Sequence, residues 1–394
     1  MTPVELSRTV LHAVRRAVDD GELSVTVPER AVVTRPGPGG CGDYATNIAL
    51  RLARAAEQPP RRVAEILRAR LLDDHRITDV VVTGAGFLNL SLGSAASVAL
   101  IDEILRRGRR YGHAAGPSGN IVRLRCAAEV RAVVVADATA RLLRSQGDSV
   151  RISYDGRPAP EWESVLGVDT KGVDDKGVHN EGVDSEGSDA GCISSAAGGA
   201  DPGGVDAHSS RGPHSSLGPH PLLPVPDVTI RPVPAPTDPL PLGRDAARWA
   251  LLYPAAHDRP RTTGDHLVQR ETNPLFRVRY AHARTRALLR NADDLGFRPE
   301  PGPAHTPDTA PLIAALGDHP RVLTAAATDH SPDRLARHLV TVADATLPLL
   351  PAVLPIGGEK PSAAHRARLA LAEAAGTVLA GGLSLLGIDA PDHL

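Results

Sequence analysis

From Gly167 the chain repeats a five-residue unit: Gly167-Val-Asp-Thr-Lys171, Gly172-Val-Asp-Asp-Lys176, Gly177-Val-His-Asn-Glu181, Gly182-Val-Asp-Ser-Glu186. A run rich in Gly, Ser, Pro and His continues to residue 221. Such a segment carries too little apolar surface to offset the entropy of ordering it, so residues 166–221 are expected to be a disordered insert. Its scattered His179, His208, His214 and His220 are expected in solvent and not on a metal ion. The remaining sequence must therefore build its cores on either side of this break, and each side is long enough to do so.

Those cores should be aliphatic and largely helical, because aromatic residues make up only 3% of the chain against 42% apolar. The net charge of −2 provides no global basic field, so any nucleic-acid site must be local. Lysine occurs only at Lys171, Lys176 and Lys360; the arginine bias suits phosphate forks and base stacking, and equally reflects a GC-rich genome. Cys41, Cys126 and Cys192 are far apart and odd in number, which argues against a zinc or disulfide framework. Without a basic-then-apolar leader or a spanning run of about 18 apolar residues, the protein is expected to be cytoplasmic and off the membrane.

The most informative helix is Asn273-Pro-Leu-Phe-Arg-Val-Arg-Tyr-Ala-His-Ala-Arg-Thr-Arg-Ala-Leu-Leu-Arg290. Asn273 can cap it, Pro274 suits its first position, and Gly296 closes it. Val278, Ala281, Thr285, Leu288, Leu289 and Ala292 share one face at 100° per residue and should be buried. Arg277 and Arg284 fall on one flank with Tyr280 beside them; Arg279, Arg286 and Arg290 line the other, with no acidic side chain within the stretch. A ring among guanidinium groups suits unpaired bases next to phosphates. An Arg-rich solvated helix face is the competing reading.

Before the insert, helices are expected over 2–20, 48–57 and 60–72, and strands over 77–82 and 87–92 about the turn Gly84-Ala-Gly86. Residues 117–156 read as β-α-β, with strands 120–125 and 149–154 around a helix over 129–145. After it, Asp227–231 and Leu222-Leu223 read as edge strands because prolines surround them. Helices follow over 242–252, 311–316, 321–328, 332–350 and 361–386, with Ser331 as a cap before Pro332.

Several of these stretches resemble one family. Asn273-Pro-Leu-Phe276 with Tyr280-Ala-His-Ala-Arg284 closely resembles the opening of the anticodon-binding helical domain of arginyl-tRNA synthetases. Gly42-Asp-Tyr-Ala-Thr-Asn-Ile-Ala-Leu50 and Gly86-Phe-Leu-Asn-Leu90 are similar to the two signature segments of that family's N-terminal additional domain. The resemblance covers residues 1–156 and 243–394. It implies an α+β N-terminal domain at 1–113, a truncated Rossmann-like α/β remnant at 117–165, edge strands and linker at 222–242, and an all-α anticodon-binding bundle at 243–394. It also implies that Phe87 and Asn89 meet the outer corner of a tRNA, Phe87 stacking on a flipped base while Asn89 reads its edge; strand alternation places both on the outward face. The tail ending at Leu394 is similar to the family's C-terminus, which contacts the anticodon loop.

Departures from the family pattern bear on chemistry. Where the family carries its HIGH-type phosphate-holding motif, this chain has Cys126-Ala127-Ala128-Glu129. A glutamate at a helix N-terminus repels phosphate, so ATP binding is expected to be lost and no cofactor is expected. Nothing between 156 and 243 matches the amino-acid pocket or the KMSKS loop. Arg277 and Arg279 stand where the family usually has Tyr and Gln, and Thr346-Leu-Pro-Leu-Leu350 replaces an aromatic cluster, which shifts the expected contact toward charge-driven RNA binding. The resulting expectation is a non-catalytic tRNA-binding paralogue, its partner a tRNA and in particular arginine tRNA. An active arginine–tRNA ligase and an interaction scaffold, for instance on the genuine synthetase, are the alternatives.

Overall fold

The computed structural model describes residues 2–37, 41–169, 227–303 and 308–394. The repeats from Thr170 on, the four histidines, Cys192 and Leu222-Leu223 lie outside the described residues. The chain opens with helix α1 (Pro3–Asp19), started by a reciprocal capping box between Thr2 and Glu5. Its apolar stripe, Leu6, Val10, Leu11 and Val14, is buried against α3 (Pro60–Leu71). Between them the short helix α2 (Ile48–Ala53) ends four residues before the expected 57. These helices cover a four-stranded antiparallel sheet of order β1 (Val33–Thr34), β2 (Tyr44–Thr46), β4 (Phe87–Leu92), β3 (Ile77–Thr83). Sequence reading missed β1 and β2, which are two and three residues long and too short to show alternation.

Helix α4 (Ser94–Arg107) carries the chain to a second, parallel sheet of order β6 (Ser149–Asp155), β5 (Ile121–Ala127), β7 (Asp227–Ile230), with α5 (Val130–Ser145) as the crossover. Along β5 the side chains of Val122, Leu124 and Cys126 are buried under α5 while Ile121, Arg123, Arg125 and Ala127 are exposed. Parallel strands are ordinarily buried on both faces and read as continuous apolar runs. Here the alternation of the sequence itself matches a sheet whose second face is wet. The helix α6 (Pro160–Leu166) was not expected, and it moves the start of the insert: Leu166 and Val168 are core residues, so 166 is not its boundary.

The C-terminal half is helical: α7 (Gly243–Leu252), α8 (Pro274–Asp294), α9 (Ala310–Thr328), α10 (Pro332–Thr346) and α11 (Ala363–Leu385). The two helices expected over 311–316 and 321–328 are one. Pro320 sits inside α9, and the Leu316 carbonyl that its missing N–H would leave free accepts a hydrogen bond from the Tyr111 hydroxyl at 3.2 Å. Pro348 and Pro351 act as expected of proline and turn 347–352 into a 3-10 segment, ending α10 at Thr346. Ser331 does not cap α10: its hydroxyl donates to the Asp329 carbonyl instead.

One core runs through the parallel sheet and the bundle, and a second fills the N-terminal domain. A buried ion pair stitches the first: Arg248 Nη2 donates to Asp137 Oδ2 at 2.5 Å, and the same guanidinium donates to the carbonyls of Leu166 and Leu386. Arg131, also fully buried, donates to the carbonyls of Val233, Leu251, Pro254, Ala255 and Asp258. Every guanidinium face is therefore used for architecture, as a buried charge requires.

Candidate nucleic-acid interface

Asn273 sets the geometry of the bundle surface. Its Oδ1 accepts from the backbone N–H groups of Leu275 and Phe276, capping α8, while its Nδ2 donates to the carbonyls of His266 and Val268, both at 2.9 Å. One buried side chain thus starts the helix and pins the preceding loop against it. The apolar stripe of α8 is buried as its periodicity predicts, Leu289 only partly. His282 belongs to this inner face: its Nδ1 lies 3.1 Å from the Gly376 carbonyl of α11, and burial lowers its pKa. In Tyr280-Ala-His-Ala-Arg284, then, three central residues hold the helix down and the two outer ones face solvent.

The outer strip is Phe276, Tyr280 and Arg284, spaced i, i+4, i+8. The two rings stack at 5.4 Å with 22° between their planes; Tyr280 is 38% exposed, and Arg284 is exposed with no acidic partner among the described residues. The remaining arginines differ from the expectation of an uncompensated basic helix. Neighbouring elements supply carboxylates to three of them: Arg277 pairs with Asp344 at 3.1 Å, Arg279 with Asp245 at 3.5 Å, and Arg286 with Asp392 at 3.1 Å. Arg290 donates to the Asp392 carbonyl at 3.5 Å. Arg284 and Arg290 form no ion pair among the described residues, and Arg284 is the one beside the rings.

At the N-terminal end of α8 a cavity of about 330 Å³ opens between α7, the 266–269 loop and the chain's last residues. Phe276 and Leu275 form one wall, the Arg279–Asp245 pair lies at its polar side, and Leu267, Val268 and the half-exposed Leu394 rim it. Sequence reading missed His266, Leu267 and Val268, which lie in a loop with no periodic signal. The cavity combines a ring wall, a guanidinium–carboxylate edge and apolar rims, the set of groups that receives a planar heterocycle.

On the N-terminal domain Phe87 and Asn89 part company. Phe87 is 45% exposed at the start of β4. Asn89 is 2% exposed, and its amide donates to the Val81 carbonyl at 3.2 Å and to Thr83 Oγ1 at 2.7 Å. The expectation that both face outward is corrected: β4 is flanked by β2 and β3, and the Asn89 side chain is spent inside the sheet.

At the turn into α5, Cys126 of β5 is buried under that helix, with burial pushing its thiol up to about 12. Glu129 is the N-cap of α5: its carboxylate accepts from the Ala132 N–H at 3.0 Å and from the Ala235 N–H at 3.4 Å. Ala127 is exposed and Ala128 partly buried beside it.

Comparison with known proteins follows the same division. Residues 278–394 match the DALR anticodon binding domain, and residues 5–92 match the arginyl tRNA synthetase N terminal domain. An arginine–tRNA ligase of Frankia alni is 29% identical over an alignment of 557 residues that covers 100% of both chains. One from Renibacterium salmoninarum is 28% identical over 550 residues, again 100% of both. Among solved structures, Thermus thermophilus arginyl-tRNA synthetase shares the fold at a TM-score of 0.62 and 15% identity over 100% of both chains. The enzyme from Plasmodium falciparum does so at 0.65 and 7% identity, over 100% of this chain and 99% of its own. The chain thus matches the arginyl tRNA synthetase N terminal domain at one end and the DALR anticodon binding domain at the other, and is similar end to end to arginine–tRNA ligases.

Proposed function

We propose that this chain binds tRNA in the cytoplasm, arginine tRNA first among its partners, without catalysing aminoacylation. The observation that carries the loss of chemistry is Glu129. Its carboxylate takes the first-turn amide of α5 and places a negative charge where a phosphate would need those amides and the positive end of the helix. The Ala235 N–H bond fixes that carboxylate from a second side. The length of the chain supports the same reading: its 394 residues align end to end on relatives over 557 positions. Losing a principal electrostatic stabiliser of an adenylate-forming transition state costs several kcal/mol of rate. Calorimetry with ATP and magnesium is expected to give no binding heat, and a micromolar affinity would restore the ligase reading that the relatives' names favour.

The RNA reading rests on the outer strip of α8. Phe276, Tyr280 and Arg284 offer stacked rings and a free guanidinium next to the cavity ending at Leu394. Phe87 offers a second exposed ring on the N-terminal domain. Replacing Tyr280 and Arg284 together by alanine is expected to weaken tRNA binding roughly 10- to 100-fold, the scale of one lost stack and one lost phosphate contact. Filter binding with an unchanged affinity would remove α8 from the interface. The internally paired Arg277, Arg279 and Arg286 are expected to contribute less than Arg284 when replaced singly.

A further inference from the structure

The N-terminal domain holds a basic cleft that neither terminal RNA contact uses. It lies between α1 and the turn after α3 and measures about 740 Å³. Arg16, Arg70 and Arg76 in it are neutralised by carboxylates: Arg16 by Asp73 at 2.9 Å, Arg70 by Asp20 and Glu22, and Arg76 by Asp74 at 2.7 Å. Arg8, His12 and Arg15 are different. They stand at i, i+4 and i+7 on the outer face of α1, are exposed, and have no acidic partner among the described residues. A helix that buries its apolar stripe and caps itself gains nothing in stability from two unpaired guanidiniums and an imidazole on one strip.

Their position relative to Phe87 gives them a purpose. Helix α3 begins at Pro60, so close to the Phe87 turn that a Cβ on Gly86 would come within 2.9 Å of the Pro60 carbonyl. It runs 12 residues and delivers Arg70 into the cleft. At 1.5 Å per residue the two ends are roughly 18 Å apart, a span of several nucleotides of an RNA strand. Arg61 and Arg62, exposed on the first turn of α3, begin the track at the Phe87 end.

We propose that Arg8, His12 and Arg15 form a backbone-phosphate site for the RNA strand whose base stacks on Phe87, with α3 as the spacer. This rests on the tRNA reading above and adds a second, sequence-independent grip to the N-terminal domain. Phosphates are the occupant because the free groups are two guanidiniums and an imidazole, with no exposed apolar side chain among them. His12 serves as a hydrogen-bond donor and the two arginines carry the fixed charge.

The test is fluorescence anisotropy with a transcribed arginine tRNA over a KCl series. The Arg8→Ala/Arg15→Ala variant is expected to lower the slope of log affinity against log salt by about 1.5 to 2 relative to the unaltered chain. Arg8→Lys/Arg15→Lys keeps the slope, and Phe87→Ala weakens binding without changing it. An unchanged far-UV circular dichroism spectrum and thermal midpoint in each variant exclude unfolding as the cause. An unchanged slope in the double alanine variant, with the unaltered chain binding normally, overturns the cleft alone. An unaltered chain that does not bind the tRNA overturns the tRNA reading and the cleft with it.

Discussion

Asn273 shows how much one side chain fixes. It makes four hydrogen bonds, two as a helix cap and two to the loop that walls the cavity. Asn273→Ala removes the cap and leaves the His266 and Val268 carbonyls without their donor, which is expected to cost about 1–2 kcal/mol. Urea unfolding should read that as a lower midpoint at constant slope; an unmoved midpoint would mean the loop holds itself. The cap was legible from Asn273-Pro274, because caps are a local sequence property. The bracket to His266 and Val268 was not, because it joins two segments whose spacing carries no signal. Asn89 failed for a related reason. Period-two alternation assigns a face, but a short polar side chain in a central strand can satisfy itself on Val81 and Thr83 and never reach solvent.

At the scale of elements, the strongly periodic helices and the β-α-β unit were readable to within a few residues, while α9 was split in two because proline is read as a stop. What rescues Pro320 is tertiary: Tyr111 supplies the donor that the backbone lost. The neighbouring pair of histidines gives that packing a pH dependence. His319 stacks between Tyr111 at 5.9 Å and His338 at 5.2 Å, and both imidazoles are buried. Burial lowers both pKa values, that of His338 to about 4. Because the folded values lie below the unfolded one of about 6.5, the unfolded chain takes up protons first as pH falls. The stability these groups contribute is complete above pH 6.5 and is lost as pH falls toward 4, about 3 kcal/mol for His338 alone. Glu373 on α11, whose pKa burial raises, works in the opposite direction. Thermal melts across that window should show a falling midpoint, with a shallower fall in His338→Gln. Parallel curves for the two proteins would take His338 out of the account.

Over the whole molecule, both candidate RNA-facing ends belong to one connected structure. The segment after α4 packs on α9 and α11, with Gly112 against Leu323 and Pro320 and the Arg109 backbone against Gly381, and so joins the domain of Phe87 to the bundle of Tyr280. Between them the parallel sheet has kept its crossover and its buried arginines. Glu129 caps the turn into α5, which on the reading proposed above keeps phosphate out, and one face of β5 is open to water. A chain that retained these ends for chemistry would need the turn; a chain that retained them for tRNA would not. The most direct measurement is therefore capture of total cellular tRNA on the purified protein at physiological salt, with sequencing of what is retained. The account predicts that tRNA is held and that arginine isoacceptors are enriched. A protein that retains no tRNA above a control of equal charge would contradict it.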